Sequence, residues 1–179
     1  VLLYHFDEKI VKDINENHKN SLYFNDLLIN EHIKATTCLK SVFSFTNNII
    51  TCVPSKNLVD LLKESLPFMN QKYNFINTIK GFVGENNDLV IQYLWNIIPN
   101  EYVNSISSII GPSHAEEVIQ RKLTAICFVN KDAGFAAKMQ QYFSNDYFRV
   151  YSLTDEIGAE FAASYKNAIA IGSGIISGL

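Results

Sequence analysis

Two lysines stand where a lysine can do acid–base work. Lys166 lies in the run Thr154 to Leu179, TDEIGAEFAASYKNAIAIGSGIISGL. Thr154 and Asp155 put a capping oxygen ahead of an apolar-periodic segment, so a helix is expected to start there. On that helix Ala162, Ala163, Ile169 and Ala170 fall about one turn from Lys166. Small neighbours let another molecule come close, and apolar ones strip water from the ammonium. Desolvation lowers a lysine's pKa, and a second ammonium nearby lowers it further, which is how a lysine becomes a proton carrier near neutrality. Asn167 can hydrogen-bond a substrate hydroxyl or phosphate. Lys80 precedes Gly81 at the carboxyl end of a strand pattern, Tyr73 to Ile79, the place where open α/β sheets bind ligands. Each has a plainer alternative: Lys166 snorkelling at the edge of an alanine-packed helix, Lys80 solvated, Asn167 a capping or core amide.

Weaker signals surround these. The apolar run Val1 to Phe6 ends in Asp7, and an acid at a strand's carboxyl end is where a dinucleotide-binding fold reads the adenosine ribose. Phe6 would then lie against the adenine, while the competing role for Asp7 is a helix N-cap. Ile106 to Ile110 leads into Gly111-Pro112-Ser113-His114-Ala115-Glu116-Glu117-Val118. Gly111 permits close backbone approach and Pro112 stiffens the turn, while Ser113 can cap the next helix or bond a ligand.

The elements that must position these residues alternate along the chain. Strands are predicted at Val1–Phe6, Asn48–Val53, Tyr73–Ile79, Ile106–Ile110, Thr124–Val129 and Phe148–Tyr151. Helices are predicted around Ile10–Ile14 and over Asn57–Leu66, Asp88–Ile98 and Ala133–Phe143, with a polar, Asn-rich loop from Asn15 to Asn30. This alternation predicts an α/β fold with a doubly wound, mostly parallel, Rossmann-like sheet.

A chain of 179 residues can bury one good core but not two full domains. Its formal net charge of −3, with no basic stripe, argues against a nucleic-acid partner. The apolar run Ala168 to Leu179 is too short to span a bilayer, so no membrane role is expected. Cys38, Cys52 and Cys127 are odd in number and far apart, which predicts buried free thiols in a reducing cytoplasm and no disulfide. The four histidines lack ligand spacing, so no metal site is expected.

The GPSHAEEV turn, the Lys80-Gly81 pair, Val53-Pro54-Ser55 and the Lys166-Asn167 helix together resemble the NAD(P)-dependent glycerol-3-phosphate dehydrogenase family, in order and over nearly the whole chain. The resemblance implies residues 1–152 as a dinucleotide-binding domain and 153–179 as the first helix of an all-helical C-terminal domain. It implies a strand and GxGxxG turn ahead of Val1, and a substrate-phosphate arginine beyond Leu179. The 179 residues alone are therefore expected to be inactive. The implied reaction is hydride transfer between NAD, with NADP as the alternative, and the pair dihydroxyacetone phosphate and sn-glycerol 3-phosphate, supplying phospholipid precursors.

In that comparison Lys166 is the general acid–base, and Lys80 touches both substrate and cofactor. Gly111, Ser113 and Asn167 face the substrate, while Ala115 faces the nicotinamide amide. Phe6, Asp7, Tyr23 and Pro54 border the cofactor, and aspartate at position 7 leans towards NAD. His114 is structural. A homodimer is allowed but not required. Ala162-Ala163 replaces the family's usual Gly-Gly, and Ser164-Tyr165 a smaller pair, which narrows the space beside the nicotinamide. Competing expectations are a non-catalytic dinucleotide-binding remnant and a dehydrogenase of another hydroxy acid or phosphate.

Overall fold

The computed structural model describes residues 1–178, with the side chains of residues 25 and 26 outside the description. Strand β1 (Leu2–Tyr4) leads to α1 (Glu8–Lys12), which continues through a π-helical turn (Asp13–Asn17). A hairpin, β2 (Lys19–Asn20) and β3 (Phe24–Leu28), then precedes β4 (Lys34–Thr36) and α2 (Leu39–Phe45). After these come β5 (Asn48–Thr51), α3 (Ser55–Ser65), β6 (Tyr73–Asn77), the short pair β7 (Phe82–Val83) and β8 (Asp88–Leu89), and α4 (Val90–Ile97). The chain closes with β9 (Val103–Ile110), α5 (Ala115–Ile119), β10 (Thr124–Val129), α6 (Ala133–Phe143), β11 (Phe148–Leu153) and α7 (Glu156–Gly178). Leu179, the end of the expected last helix, lies outside the described residues.

The main sheet has the order β11-β10-β9-β6-β5, and every pair in it is parallel except β9–β10. Strands β1 and β4 form a separate parallel pair that, among the described residues, does not pair with the main sheet. Alternation along β6 feeds both faces. Phe75 joins Leu58, Leu62, Leu94 and Ile106 under α3 and α4, and its neighbour Ile76 joins Phe128 and Val150 under α6. A smaller cluster of Ile10, Ile14 and Ala35 seats α1 on the β1–β4 pair. Helix α2 links the two parts, since it packs on β1 and β4 while its Phe43 belongs to the larger core.

Near their amino ends the central strands carry asparagines in a row. Asn74 donates to Asn48 (2.9 Å) and Asn104 to Asn74 (2.6 Å). Asn104 is the extra residue of a bulge, because Tyr73 pairs with Val103 and Asn74 with Ser105.

Several expectations need correction. Residues 15–30 are not a plain loop but contain the β2–β3 hairpin, and the strand and helix at β4 and α2 had no counterpart in the sequence reading. The cysteines are free but not buried: Cys38 and Cys52 are exposed and Cys127 is half-buried. Cys38 is the residue just before α2, and Cys52 lies just past the end of β5, both at element ends instead of in the packed layers.

Candidate active site

The carboxyl ends of β5, β6 and β9 bring the main candidates together. A cleft of about 330 Å³ is lined by Cys52, Val53, Pro54, Ser55, Thr78, Ile79 and Lys80. Pro54, just before α3, and Lys80, just past β6, thus share one wall. From there the Lys80 Nζ reaches across to donate to the backbone carbonyl of Ser113, 3.4 Å away. Ser113 follows the end of β9 and precedes α5, so this contact spans the carboxyl ends of two adjacent parallel strands.

Helix α7 packs against β9 and α4 and carries Lys166, whose charge lies near enough to Lys80 to repel it. Burial holds the Lys80 ammonium below the usual lysine pKa, and repulsion from Lys166 adds to the effect. Lys80 keeps solvent contact while this happens, and Lys166 is half-buried. The structure therefore ties Lys80 to the Ser113 carbonyl, brings the Lys166 charge near Lys80, and puts Pro54 on the adjoining wall.

The surroundings of Lys166 differ from expectation. Ala162, Asn167, Ile169 and Ala170 are exposed, Ile169 at 68 %, so α7 does not itself form a dry pocket around the amine. The lowered amine pKa belongs to Lys80 on the strand-end side, which is itself solvent-exposed, so neither lysine lies in a dry pocket. Nor does Ser113 cap α5. The N-cap position belongs to His114, which makes no side-chain capping bond. Ala115, the first residue of α5, is exposed.

Gly111 has a packing reason that the sequence did not reveal. A Cβ there would stand 2.8 Å from the Ile126 Cα and 3.0 Å from the Ala125 carbonyl oxygen, both in β10. The missing side chain lets two strands approach, whatever it does for a ligand.

The remaining candidates sit on the other part of the fold. Phe6 is 78 % exposed at the end of β1, its ring stacked on His5 at 4.7 Å. Asp7 does cap α1, accepting from the Lys9 N–H at 2.8 Å with one oxygen; its second oxygen makes no hydrogen bond among the described residues. Tyr23 is exposed in the turn of the β2–β3 hairpin and has no described contact with the cleft.

One residue of consequence escaped the sequence reading. Glu160 is only 4 % exposed, the buried residue of α7. Its Oε1 accepts from Asn77 Nδ2 (2.9 Å) and Ser108 Oγ (2.5 Å), and its Oε2 accepts from the Ile91 N–H (3.0 Å) in the first turn of α4. A helical glutamate reads as solvated face. The available signal was on the other side, in the polar Asn77, Ser107 and Ser108 set within apolar central strands, which need a buried partner.

A family model described as the NAD-dependent glycerol-3-phosphate dehydrogenase N-terminus matches residues 1–136. The chain belongs to this family. Over 179 residues it is 32 % identical to the glycerol-3-phosphate dehydrogenase [NAD(P)+] of Staphylococcus haemolyticus and 36 % identical to that of Streptococcus uberis, covering all of this chain and 54 % and 53 % of those proteins. The chain thus spans about half the length of the curated relatives it matches. The crystal structure of the Coxiella burnetii glycerol-3-phosphate dehydrogenase superposes with a TM-score of 0.84 at 26 % identity, over 99 % of this chain and 54 % of that one. The Saccharomyces cerevisiae GPD1 structure, at 21 % identity, a TM-score of 0.86 and the same coverage, shares the fold. Among the described residues of this glycerol-3-phosphate dehydrogenase family member, no helix is long and apolar enough to cross a membrane.

Proposed function

We propose that the intact protein interconverts dihydroxyacetone phosphate and sn-glycerol 3-phosphate with NAD, and that Lys166 is its general acid–base. The observation that carries this reading is the Lys80–Ser113 contact across the carboxyl ends of β6 and β9, with the Lys166 charge close enough to perturb Lys80. When bound, the nicotinamide supplies or takes up the hydride. The protein supplies position and a proton. In the reducing direction Lys166 donates that proton to the substrate's carbonyl oxygen as it becomes a hydroxyl, and in the other direction it removes it. Lys80, tethered to the Ser113 carbonyl, orients the same oxygen or the phosphate. Asn167, being exposed one residue on, is free to hydrogen-bond the substrate.

The residues present fit a dinucleotide at both ends. The bare face of Phe6 and the free oxygen of Asp7 suit an adenosine, whose ribose hydroxyls would donate to the carboxylate; a 2′-phosphate would be repelled, which favours NAD over NADP. The cleft beside Pro54 and Lys80 suits the nicotinamide half. Residues 153–179 read as the opening of a helical domain, supported by Ile169, Ile171, Ile175 and Ile176, all more than half exposed on α7. The 179 residues contain no Gly-x-Gly-x-x-Gly, so alone they should show no dehydrogenase turnover.

The test is Lys166→Met in the intact protein. NADH oxidation with dihydroxyacetone phosphate should lose about 10²- to 10⁴-fold in kcat, the usual worth of a positioned acid–base. NADH binding, followed by fluorescence, should survive. Full activity in the variant ends the assignment.

A further inference from the structure

Glu160 is the place where three elements of the site are tied together. A carboxylate only accepts hydrogen bonds, and this one meets only donors, from the end of β6, the middle of β9 and the first turn of α4. The strand partners lead directly into the site: Lys80 is three residues beyond Asn77, and Gly111 three beyond Ser108. On its own helix Lys166 is six residues on, ~9 Å along the axis. The Asn77 side chain also passes the constraint forward. Its Oδ1 accepts from the Ile79 N–H at 2.8 Å, which fixes the turn from which Lys80 emerges.

We propose that Glu160 is a positioning residue, whose buried carboxylate sets the rotation and height of α7 so that Lys166 is held near Lys80. This rests on the dehydrogenase reading above. Glu156 pins the amino end of α7 by accepting from the Lys131 N–H at 2.8 Å, but the contacts nearer the site are apolar. Phe161 and Tyr165 meet Phe82 edge-on, at centroid distances of 6.5 and 6.2 Å, and such apolar contacts tolerate sliding. A slip of α7 by one residue rotates it by about 100° and would break all three carboxylate bonds at once.

The experiment uses the intact dehydrogenase and the variants Glu160→Gln and Ser108→Ala. Glu160→Gln keeps the size but turns one accepting oxygen into a donor. Its kcat should fall about 10- to 100-fold, the effect of a small misplacement of a catalytic group. KM for NADH should stay within about twofold, since cofactor binding is not what the clamp serves. Ser108→Ala removes one donor and should give a smaller fall of the same kind.

A second readout follows the Lys80 amine by NMR of ¹³C-methylated lysines, assigned with Lys80→Arg. In Glu160→Gln its titration should move up, because Lys166 is no longer held beside it. A glutamate that merely supports the fold would lower the melting temperature and leave both readouts alone. Unchanged kcat in both variants, or an unmoved Lys80 titration in Glu160→Gln, overturns the proposal. Should Glu160→Gln fail to fold, Ser108→Ala decides by the same two measurements. If the unmodified intact protein turned over neither substrate, the dehydrogenase reading would fall, and the Lys80 titration alone would decide whether Glu160 positions the two amines.

Discussion

Replacing Gly111 by alanine separates two explanations for a glycine at the lip of the site, strand packing and ligand approach. The added Cβ would stand 2.8 Å from the Ile126 Cα, about 0.7 Å inside the ~3.5 Å at which two carbons rest comfortably. The atoms it meets are backbone, in a strand hydrogen-bonded to β9 on one side and β11 on the other, so they cannot rotate away. Overpacking of this kind costs about 1–3 kcal/mol, and a rigid neighbour argues for the upper end, near 3. Alanine also restricts the unfolded chain, which returns about 0.4–1 kcal/mol. The net loss is then about 2 kcal/mol, or roughly 4–8 °C in melting temperature for a chain of this size. Urea denaturation and thermal melting without any ligand are the assays. A melting temperature within about 1 °C of the parent would refute the argument, because it would mean that β10 yields freely and that packing does not require the glycine.

Lys80 makes a prediction in pH. Its folded pKa lies below that of the unfolded chain, through burial and then repulsion by Lys166. Between the folded value and the ordinary value near ~10.4 the unfolded chain binds the extra proton, so stability rises with pH across that window. The penalty is full below the folded pKa and gone above the unfolded one. Lys80→Met should therefore be more stable than the parent to urea at neutral pH, with the gap closing at high pH; a less stable variant at neutral pH contradicts this. Asp132 caps α6, accepting from the Phe135 N–H at 3.0 Å, and Asp132→Ala should cost about 1 kcal/mol by urea titration. No loss there would mean that the cap is not contributing.

Where one signal dominated, the sequence was easily read. Strand β10 and helix α6 lie at the residues their patterns indicate, because an apolar run and an amphipathic repeat each have one economical burial. The segment around β4 and α2 was hidden because its short strand is paired only with β1, and its helix buries little beyond Phe43. The two lysines and the turn at Ser113 were legible as separate motifs, but their meeting depends on strand order, which local pattern does not contain. Water exclusion was credited to the neighbours of Lys166 on α7. That helix is largely exposed, and the amine with a lowered pKa is that of Lys80, itself in solvent contact. Glu160 was missed for the same reason: its burial is decided by Asn77, Ile91 and Ser108, all distant in the chain.

The row of amides across β5, β6 and β9 bears on how this sheet assembles. Parallel neighbours come together only after a long crossover has closed, and a shift of one residue would turn each strand inside out. Only one alignment lets Asn104 donate to Asn74 and Asn74 to Asn48. Two such bonds are worth about 1–3 kcal/mol, enough to favour the native alignment by about fivefold to a hundredfold while the strands are still loosely associated. The same polar side chains that blur the hydrophobic pattern would thus act as a proofreading mark during folding.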